Sequence, residues 1–472
     1  MSGCHATATA PSVRPRLRDP DGRRADRALL AVGLALVAVA AGVGAVLNHH
    51  GVRLYADAAP LYASWQPHVG WGSAPAVALA VAVVAWGPGW AAGAGWRRLL
   101  LAGYAAAVAW TLSLALVDGW SAGLTRRLTP QAEYLYEVPR VGSVSDLLAG
   151  FAGRILDHQP GSFATHTAGH PPGALLVFVG LDRVGLGGGT WAALACVLVG
   201  ASVAVSVPVA LRALGDEPAA RAVLPFLVLL PGAVWIGASA DGIFAGVVAA
   251  GLALLASRSR WAAVPAGLTL GAALYLSYGF VLVGLLALTV LALRPDRRLV
   301  TMTLAGGGVL AVVTVFTVAG FDWLDGYHLV VRRYYQGWAA DRPYGYWVWA
   351  NLAALVLSAG PVAAPALRRA GVAAYRALAG TVRRVRRAPA GPAPIAAAPE
   401  PVTVWLPVAA AGAVLLADLS GLSKAEVERI WLPFTVWLLI AVARLPSGDR
   451  RRWLAGQAVT ALAVNHLLWT VS

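Results

Sequence analysis

The sequence predicts an all-α fold, a polytopic membrane bundle of about 13 transmembrane helices with further helices at the membrane surface. Of the 472 residues, 58% are hydrophobic and only 12% are charged, and the mean hydropathy is +0.67. Soluble domains are more polar than this. Apolar runs of roughly 16 to 21 residues recur along most of the chain, and in lipid such runs must be helices because each backbone group needs a partner within its own segment.

Thirteen apolar runs are candidate spans, with boundaries uncertain by a few residues. The first run follows a basic stretch, Arg14 to Arg27, but it is long and lacks a convincing cleavage site. We therefore interpret it as a retained span and not as a signal peptide. In chain order the runs are 28–47, 73–93, 99–117, 190–211, 222–238, 242–257, 262–276, 279–294, 299–318, 345–363, 402–418, 430–444 and 453–471.

The distribution of basic residues predicts the orientation. With the N-terminus in the cytoplasm, the inner loops hold 26 of the 37 Lys and Arg residues with 8 acids, and the outer segments hold 11 with 14 acids. Cytoplasmic loops of membrane proteins usually carry this excess of positive charge, so the net charge of +15 needs no nucleic-acid partner. We expect a multi-pass protein of the cell membrane with a cytoplasmic N-terminus.

Histidine, which did not enter that count, clusters on the predicted outer face. Eight of the nine histidines lie on or near it, and only His5 does not. The eight are His49, His50, His68, His158, His166, His170, His328 and His466. The two cysteines, Cys4 in the tail and Cys196 in an apolar run, are not placed to form a disulfide.

Four regions follow from this topology. Residues 1–27 form a basic cytoplasmic tail, 28–363 the main transmembrane domain and 402–472 a set of C-terminal transmembrane helices. Between the last two, 364–401 is rich in Arg, Pro and Ala and has no apolar period. This composition is typical of a flexible cytoplasmic linker.

Two long outer loops, 118–189 and 319–344, are expected to carry function because connectors of this length are uncommon. The first contains an amphipathic stretch, Val144 to Leu156, and a short apolar run, Gly173 to Gly180. A run this short predicts a helix at the interface and not a span.

Acidic residues in the first loop are candidates for catalysis. Glu133 and Glu137 are spaced i, i+4 and would share one helix face, which suits a general base with an electrostatic partner. A solvated loop helix would look the same. Asp118 ends the preceding span and Arg140 follows one turn later, so both belong to the same candidate site.

Two histidines four residues apart, His166 and His170, have a metal-ligand spacing if they lie on one helix. A glycine and two prolines follow them, which argues against a continuous helix. We therefore predict no metal site, and expect Pro171-Pro172 to start an interfacial helix. The histidines would then bind phosphate or sugar hydroxyls.

Asp241 lies at a short outer turn between two apolar runs. One interpretation makes it the N-cap of the following span, and the other points its side chain into an outer cavity.

Outer cations depart from the usual charge distribution and need an explanation. Binding the phosphate of a lipid carrier is one, and salt bridges to nearby acids such as Glu426, Asp322 or Asp325 are the other. The candidate residues are Arg332, Arg333 and Tyr335 in the second loop, and Lys424, Glu428 and Arg429 in a third, 418–429.

The order of these features resembles integral-membrane glycosyltransferases of the GT-C superfamily, which contains protein O-mannosyltransferases and the aminoarabinose transferase of lipid A. Those enzymes place an acid in a large outer loop, then interfacial helices, then a Pro-Pro or Lys-Pro motif that begins another helix. Here Asp118 and Glu133/Glu137, the 144–156 stretch and His170-Pro171-Pro172-Gly173 follow in that order. The segment 424–429 resembles a late outer loop that closes the site.

The chain departs from that pattern in two respects. A full Asp-Glu pair is missing at the loop start, and two extra spans precede the family-like part. The segment 55–62 between those spans contains Asp57 and could itself be the acidic first loop, so four acids are candidates for the base. The resemblance implies inverting transfer of a sugar from polyprenyl phosphate, in which a carboxylate deprotonates the acceptor hydroxyl and cations hold the departing phosphate.

A transporter, or a lipid-binding or scaffold protein of the cell envelope, is the alternative. A transport path would place charges at mid-span and often shows repeat symmetry, and the sequence shows neither. We expect a polyprenyl-phosphate sugar and membrane lipid as partners, and no cofactor, with a divalent metal left open.

Overall fold

Helices form along nearly the whole of the apolar sequence. The computed structural model describes residues 20–237, 239–294, 296–387 and 402–470. Its α-helices are α1 (Pro20–His49), α2 (Ser73–Gly93), α3 (Trp96–Ala115), α4 (Val144–Gly150), α5 (Thr165–Gly169), α6 (Pro172–Arg183), α7 (Gly189–Ala201), α8 (Val203–Ala213), α9 (Glu217–Val228), α10 (Ala233–Ile236), α11 (Asp241–Ala256), α12 (Ala263–Leu274), α13 (Val283–Leu293), α14 (Arg298–Val318), α15 (Trp323–Tyr334), α16 (Tyr344–Ala359), α17 (Ala363–Arg387), α18 (Val402–Leu419), α19 (Val427–Ile430), α20 (Leu432–Leu438) and α21 (Arg450–Leu467).

Short turns of other helix types link several of these. A π-helical turn covers Ser121–Thr125, and 3₁₀ turns cover Tyr134–Tyr136, Val138–Arg140, Ala152–Arg154, Arg260–Ala262, Tyr278–Leu282, Trp338–Ala340, Leu439–Arg444 and Ser447–Asp449. Two three-residue strands, β1 (Ala63–Trp65) and β2 (Leu468–Thr470), complete the described structure. The prediction of an all-α membrane protein is confirmed at this level.

The count of about 13 spans is not confirmed. Within the described ranges, six helices are long and apolar enough to cross a membrane. They are Gly22–His49, Ser73–Gly93, Trp96–Ala115, Gly189–Ala213, Arg298–Val318 and Val402–Leu419. A bent pair, α16 with α17, would make a seventh, whereas the runs at 242–257, 279–294 and 430–444 form shorter apolar helices.

Breaks inside the apolar runs explain the difference. Run 222–238 is divided between α9 and α10, because the chain turns at Pro231-Gly232. Run 430–444 is divided between α19, α20 and a 3₁₀ turn. The hydropathy of an apolar run does not indicate where a helix within it breaks.

The last predicted span, 453–471, ends early. Helix α21 stops at Leu467, and β2 then pairs antiparallel with β1, with Ala63 opposite Thr470. The pairing continues beyond the strands, since the Gln66 and His68 amides donate to the Leu467 and His466 carbonyls. The C-terminal end of the described chain is thus hydrogen-bonded to the loop after α1.

The segment predicted to be a flexible linker begins with a regular helix. Residues Ala363–Arg387 form α17, and 388–401 lie outside the described residues. Ala366, Ala370 and Ala374, four residues apart, are buried on one face of α17. Alanine is so weakly apolar that this stripe does not stand out in the sequence.

The two segments predicted to form interfacial helices are helical. The Val144–Leu156 stretch forms α4 and a 3₁₀ turn, with Ser143 as N-cap accepting the Asp146 amide at 3.3 Å. Helix α6 begins at Pro172, directly after His170-Pro171, where a missing amide donor costs nothing.

Ion pairs divide the described loops into two groups. Arg23 pairs with Asp449, and Arg368 with Asp26, among segments predicted to be inside. Arg53 pairs with Asp341 at the opposite end, where Arg342 also contacts Glu426 and His166 contacts Glu133. The segments predicted to share a side of the membrane therefore meet in space.

Helix α11 lies at the centre of the core. It packs against α7, α8, α12 and α20, and its Val248, Ala249 and Leu252 are completely buried. Its first residue is Asp241, so this central helix places a carboxylate at the end of the bundle where Arg342, Glu426 and His166 lie.

Candidate functional site

Four loops at one end of the bundle converge on a buried group of charged side chains. We call this group the polar cluster; it consists of Glu133, His166, Asp241, Arg342, Lys424, Glu426, Glu428 and Arg429. Hydrogen bonds join the loop after α1, the long loop after α3, the loop before α16 and the loop after α18. Residues that are far apart in sequence thus form one site.

Arg429 is the centre of the polar cluster. Its Nη1 donates to Asp241 Oδ2 at 2.8 Å, and its Nη2 donates to Glu426 Oε2 at 2.5 Å. Arg429 and Asp241 are 5% and 4% exposed. Burying unpaired charges is costly, so these contacts are needed to keep the cluster inside the protein. Asp241 therefore does not act as a side-chain N-cap; its carboxylate is occupied by Arg429.

A hydrogen-bond chain continues from Arg429 through His166 to Glu133. Arg429 Nη2 lies 3.3 Å from His166 Nε2, and His166 Nδ1 lies 2.7 Å from Glu133 Oε1. Arginine can only donate, so Nε2 accepts and the ring proton sits on Nδ1, facing the carboxylate. Glu133 thereby fixes the tautomer and the orientation of His166.

His170 faces a different set of partners. Its Nδ1 lies 2.9 Å from the His166 carbonyl oxygen and 2.9 Å from the Tyr134 hydroxyl. Burial lowers the pKa of His170 and raises that of Tyr134, so both side chains stay neutral near pH 7. His170 also contacts Phe244 of α11, with ring centroids 5.6 Å apart. His170 therefore packs next to the polar cluster and is not one of its charged members.

Two further cations lie next to each other at the cluster. Arg342 donates to the Lys424 carbonyl oxygen at 2.8 Å and contacts Glu426 Oε1 at 3.3 Å. Lys424 Nζ donates to the Ala339 carbonyl oxygen at 2.9 Å and lies 5.3 Å from the Tyr335 ring centroid. Lys424 has no carboxylate within ion-pair distance among the described residues, and burial together with Arg342 lowers its pKa. Arg342 is thus paired with Glu426, whereas the Lys424 ammonium is held by a backbone carbonyl and lies near an aromatic ring.

The two glutamates of the third loop titrate in opposite directions. Burial would raise the pKa of Glu426, but the charges of Arg429 and Arg342 outweigh it and lower this pKa to about 2. Glu428 is completely buried, and burial raises its pKa to about 7, although the Tyr62 amide donates to its Oε1 at 2.9 Å. Its Oε2 has no partner in the described structure. The cluster therefore holds one firmly ionised carboxylate and one that retains its proton up to about neutral pH.

Asp57 lies at the edge of the cluster and is exposed. The loop that carries it is held on both sides, because Arg342 donates to the Leu54 carbonyl oxygen at 3.2 Å and Tyr62 bonds to Glu428. Its carboxylate makes no hydrogen bond or ion pair with the part of the chain that the structure describes. Its charge acts on the Tyr62 phenol, which stands beside Arg342. Asp57 is therefore a carboxylate free to meet a ligand.

The other candidate acids have protein partners. Asp118 lies 2.7 Å from His68 Nε2 and 2.5 Å from Arg127 Nη2, close to β1 and β2. Glu137 accepts the Ala164 amide at 2.9 Å and lies 3.4 Å from Arg154 Nη2. The shared helix face predicted for Glu133 and Glu137 is wrong, because two successive 3₁₀ turns replace the expected α-helix and direct the two carboxylates to different partners.

Three predicted cations lie away from the polar cluster. Arg140 is exposed and stacks on Tyr136, with its guanidinium 3.7 Å from the ring centroid. Arg333 pairs with Asp157, and Arg332 is exposed on α15. The partner of Arg333 is thus an acid of the first outer loop and not Asp322 or Asp325.

The sequence did not single out Arg342, Glu426 or Tyr62 as site residues. Arg342 directly precedes Pro343 and helix α16, and no sequence pattern distinguishes it from the other loop arginines. Its importance comes from contacts with residues 54, 55, 424 and 426, which are distant in sequence. The sequence did indicate the region of Tyr62, since Tyr62 and Asp57 belong to the same segment, 55–62, which was a candidate for the acidic first loop.

No group of three or more His, Cys, Asp or Glu side chains that could hold a metal ion occurs among the residues that the structure describes. Fold and site together define a polytopic α-helical membrane protein with a buried ionic cluster at one end. Comparison with protein-family models finds no match, and comparison with curated proteins finds none either.

Proposed function

We propose that this protein is a membrane glycosyltransferase that moves a sugar from a polyprenyl-phosphate donor to an acceptor hydroxyl on the outer side of the membrane. The observation that supports the proposal is the exposed carboxylate of Asp57, which has no partner among the described residues and lies on the loop that Arg342 and Glu428 hold. A base next to an anion site is what such a transfer needs.

Asp57 would act as the general base. Its carboxylate takes the proton of the acceptor hydroxyl while the acceptor oxygen attacks the anomeric carbon of the sugar. The bond from that carbon to the phosphate oxygen breaks, and its electron pair leaves with the phosphate. Attack opposite to the leaving group inverts the anomeric centre.

Lys424 and Arg342 would hold the departing phosphate. A leaving phosphate gains negative charge in the transition state, so fixed donors in a poorly solvated site stabilise it. Lys424 Nζ has three hydrogens and one protein acceptor, which leaves donors for a ligand. Tyr335, exposed beside Lys424, would line the same site.

Arg429 and His166 would position this machinery without touching the reacting atoms. Arg429 is bound by Asp241 and Glu426, and His166 is oriented by Glu133. Glu426 also contacts Arg342, so the buried pair fixes the side chain that would face the phosphate.

The placement of charge favours a surface reaction over transport. In the six described helices that could span a membrane, ionisable side chains lie at the helix ends, such as Asp26, Arg97, Arg212, Arg298 and Asp418. A transport path would place them at mid-span. The polar cluster lies instead at one end of the bundle.

A transfer assay with carboxylate variants tests the proposal. Membranes containing the protein are incubated with radiolabelled polyprenyl-phosphate sugars, comparing wild type with Asp57→Asn, Glu133→Gln, Glu137→Gln and Asp118→Asn. We expect Asp57→Asn to reduce transfer by roughly 100-fold or more, the usual contribution of a general base. Asp118→Asn is the matched control, because its partners His68 and Arg127 lie outside the polar cluster. Equal transfer by all variants would refute the catalytic proposal.

A further inference from the structure

Helix α17 leaves the bundle at a sharp angle. The axes of α16 and α17 differ by 104°, with the turn at Gly360, whose φ is +89°. If α16 runs across the bilayer, α17 runs nearly parallel to its surface. The start of α17 is fastened to α1, because Arg368 Nη2 and Arg369 Nε each lie 2.8 Å from an Asp26 carboxylate oxygen.

Beyond its first three turns, the large apolar side chains of α17 are exposed in the part of the chain that the structure describes. Ala366, Ala370 and Ala374 are buried against the bundle, and described residues after Ala374 are exposed or half-buried. Tyr375 and Leu378 are 73% and 56% exposed. The outer half of the helix therefore presents apolar groups to its surroundings.

Those apolar groups share one arc of the helix. At about 100° per residue, Val372, Tyr375, Leu378 and Val382 fall within about 120° of the circumference, away from the buried alanines. Arg376, exposed, lies outside that arc. The helix sequence carries seven arginines and no acid, and four of them fall in its last five residues. An apolar arc on a strongly basic helix is the pattern of helices that lie in a membrane interface.

We propose that the outer half of α17 lies in the membrane interface, with its apolar arc facing the acyl chains and its positive charge binding anionic phospholipid headgroups. Each arginine near an anionic surface adds attraction that falls off within about 10 Å, the Debye length. A bilayer is favoured over a protein partner because an α16 that crosses the bilayer places α17, at 104° to it, close to the membrane plane, and because α17 carries arginines and no acid. This inference does not depend on the proposed transfer reaction.

Site-directed spin labelling of the full chain tests this proposal. In a Cys4→Ser, Cys196→Ala background, Leu378→Cys and Gly380→Cys carry the label, because two residues turn the helix by about 200°. Apart from its chain neighbours and the backbone of α17 itself, no described atom lies within 4 Å of the Cβ position of Gly380, so the control position has room. The protein is reconstituted into phosphatidylcholine vesicles with and without phosphatidylglycerol, and the label is exposed to oxygen and to a water-soluble nickel complex.

We expect the label at position 378 to collide more with oxygen, and the label at 380 more with the nickel complex. The depth at 378 should increase with phosphatidylglycerol, and replacing Arg383, Arg384, Arg386 and Arg387 by Gln should abolish that increase. Gln at Arg451 and Arg452, exposed at the start of α21, is the charge control and should leave it unchanged. A label at 378 that reports water, or one shielded from both reagents as in a protein contact, would overturn the proposal.

Discussion

Arg429 shows how much of the site depends on single buried charges. A neutral side chain at this position would leave Asp241 and Glu426 without their shared partner inside the protein. Breaking a buried ion pair on one side typically costs about 3–5 kcal/mol. The arginine and both acids are visible in the sequence, but a contact across 188 residues is not, because nothing local encodes it.

We therefore predict that Arg429→Gln lowers the thermal unfolding temperature strongly, measured in lipid nanodiscs. The matched control is Arg53→Gln, which removes the exposed pair with Asp341 and should leave that temperature unchanged. An equal effect of the two substitutions would show that Arg429 is not a buried structural charge.

Glu428 predicts a specific pH dependence of stability. Its pKa is about 7 in the folded chain against an ordinary value of 4.5, so between these values the folded state holds more protons than the unfolded state. The free energy of unfolding should therefore fall as pH rises from 4.5 to 7, at no more than about 1.4 kcal/mol per pH unit, and level off above 7.

Glu428→Gln should remove this component, because the amide is neutral and its oxygen can still accept from the Tyr62 amide. Compared with wild type, the variant should be relatively more stable at pH 8 than at pH 5 in thermal unfolding. Glu426 does not interfere, since its lowered pKa shifts its contribution to pH below 4.5. A difference between variant and wild type that is the same at both pH values would contradict the raised pKa.

Among the helices, α17 shows which elements hydropathy predicts and which it does not. Long apolar runs such as α1 and α14 were predicted from composition, because lipid exposure requires aliphatic side chains along the helix. Helix α17 was not, because its buried face is alanine and its arginines dominate the composition. Helix breaks such as the one between α9 and α10 were also missed, since an apolar run reads as continuous through a buried turn.

We predict that Ala370→Leu destabilises the protein by about 1–3 kcal/mol, because the added methyl groups have no space on the face packed against the bundle. Val372→Leu, at an exposed position of the same helix, is the control and should have no effect on the unfolding temperature. Tolerance of leucine at 370 would indicate that α17 is not docked.

For the whole molecule, we expect the two groups of ion-paired loops to lie on opposite sides of the membrane. The arginine distribution gave that grouping, and the ion pairs between described loops agree with it. Which group faces the cytoplasm follows from the positive-inside rule alone.

We expect a membrane-impermeant thiol reagent added to intact cells to label Gln159→Cys and not Ser259→Cys, with both native cysteines replaced. Both positions are exposed and belong to opposite groups. After the membrane is permeabilised, both should react, which verifies that each cysteine is accessible. Labelling of position 259 alone in intact cells would invert the orientation and place the polar cluster on the cytoplasmic side.

We propose that Asp57 is the base and that Lys424 holds the phosphate of the donor. The most direct measurement compares sugar transfer with donor binding in the same purified preparations of wild type, Asp57→Asn and Lys424→Gln. Asp57→Asn should bind the polyprenyl-phosphate sugar as wild type does and transfer it roughly 100-fold more slowly, whereas Lys424→Gln should lose binding. Wild-type transfer rates in Asp57→Asn, with unchanged binding in Lys424→Gln, would contradict both assignments.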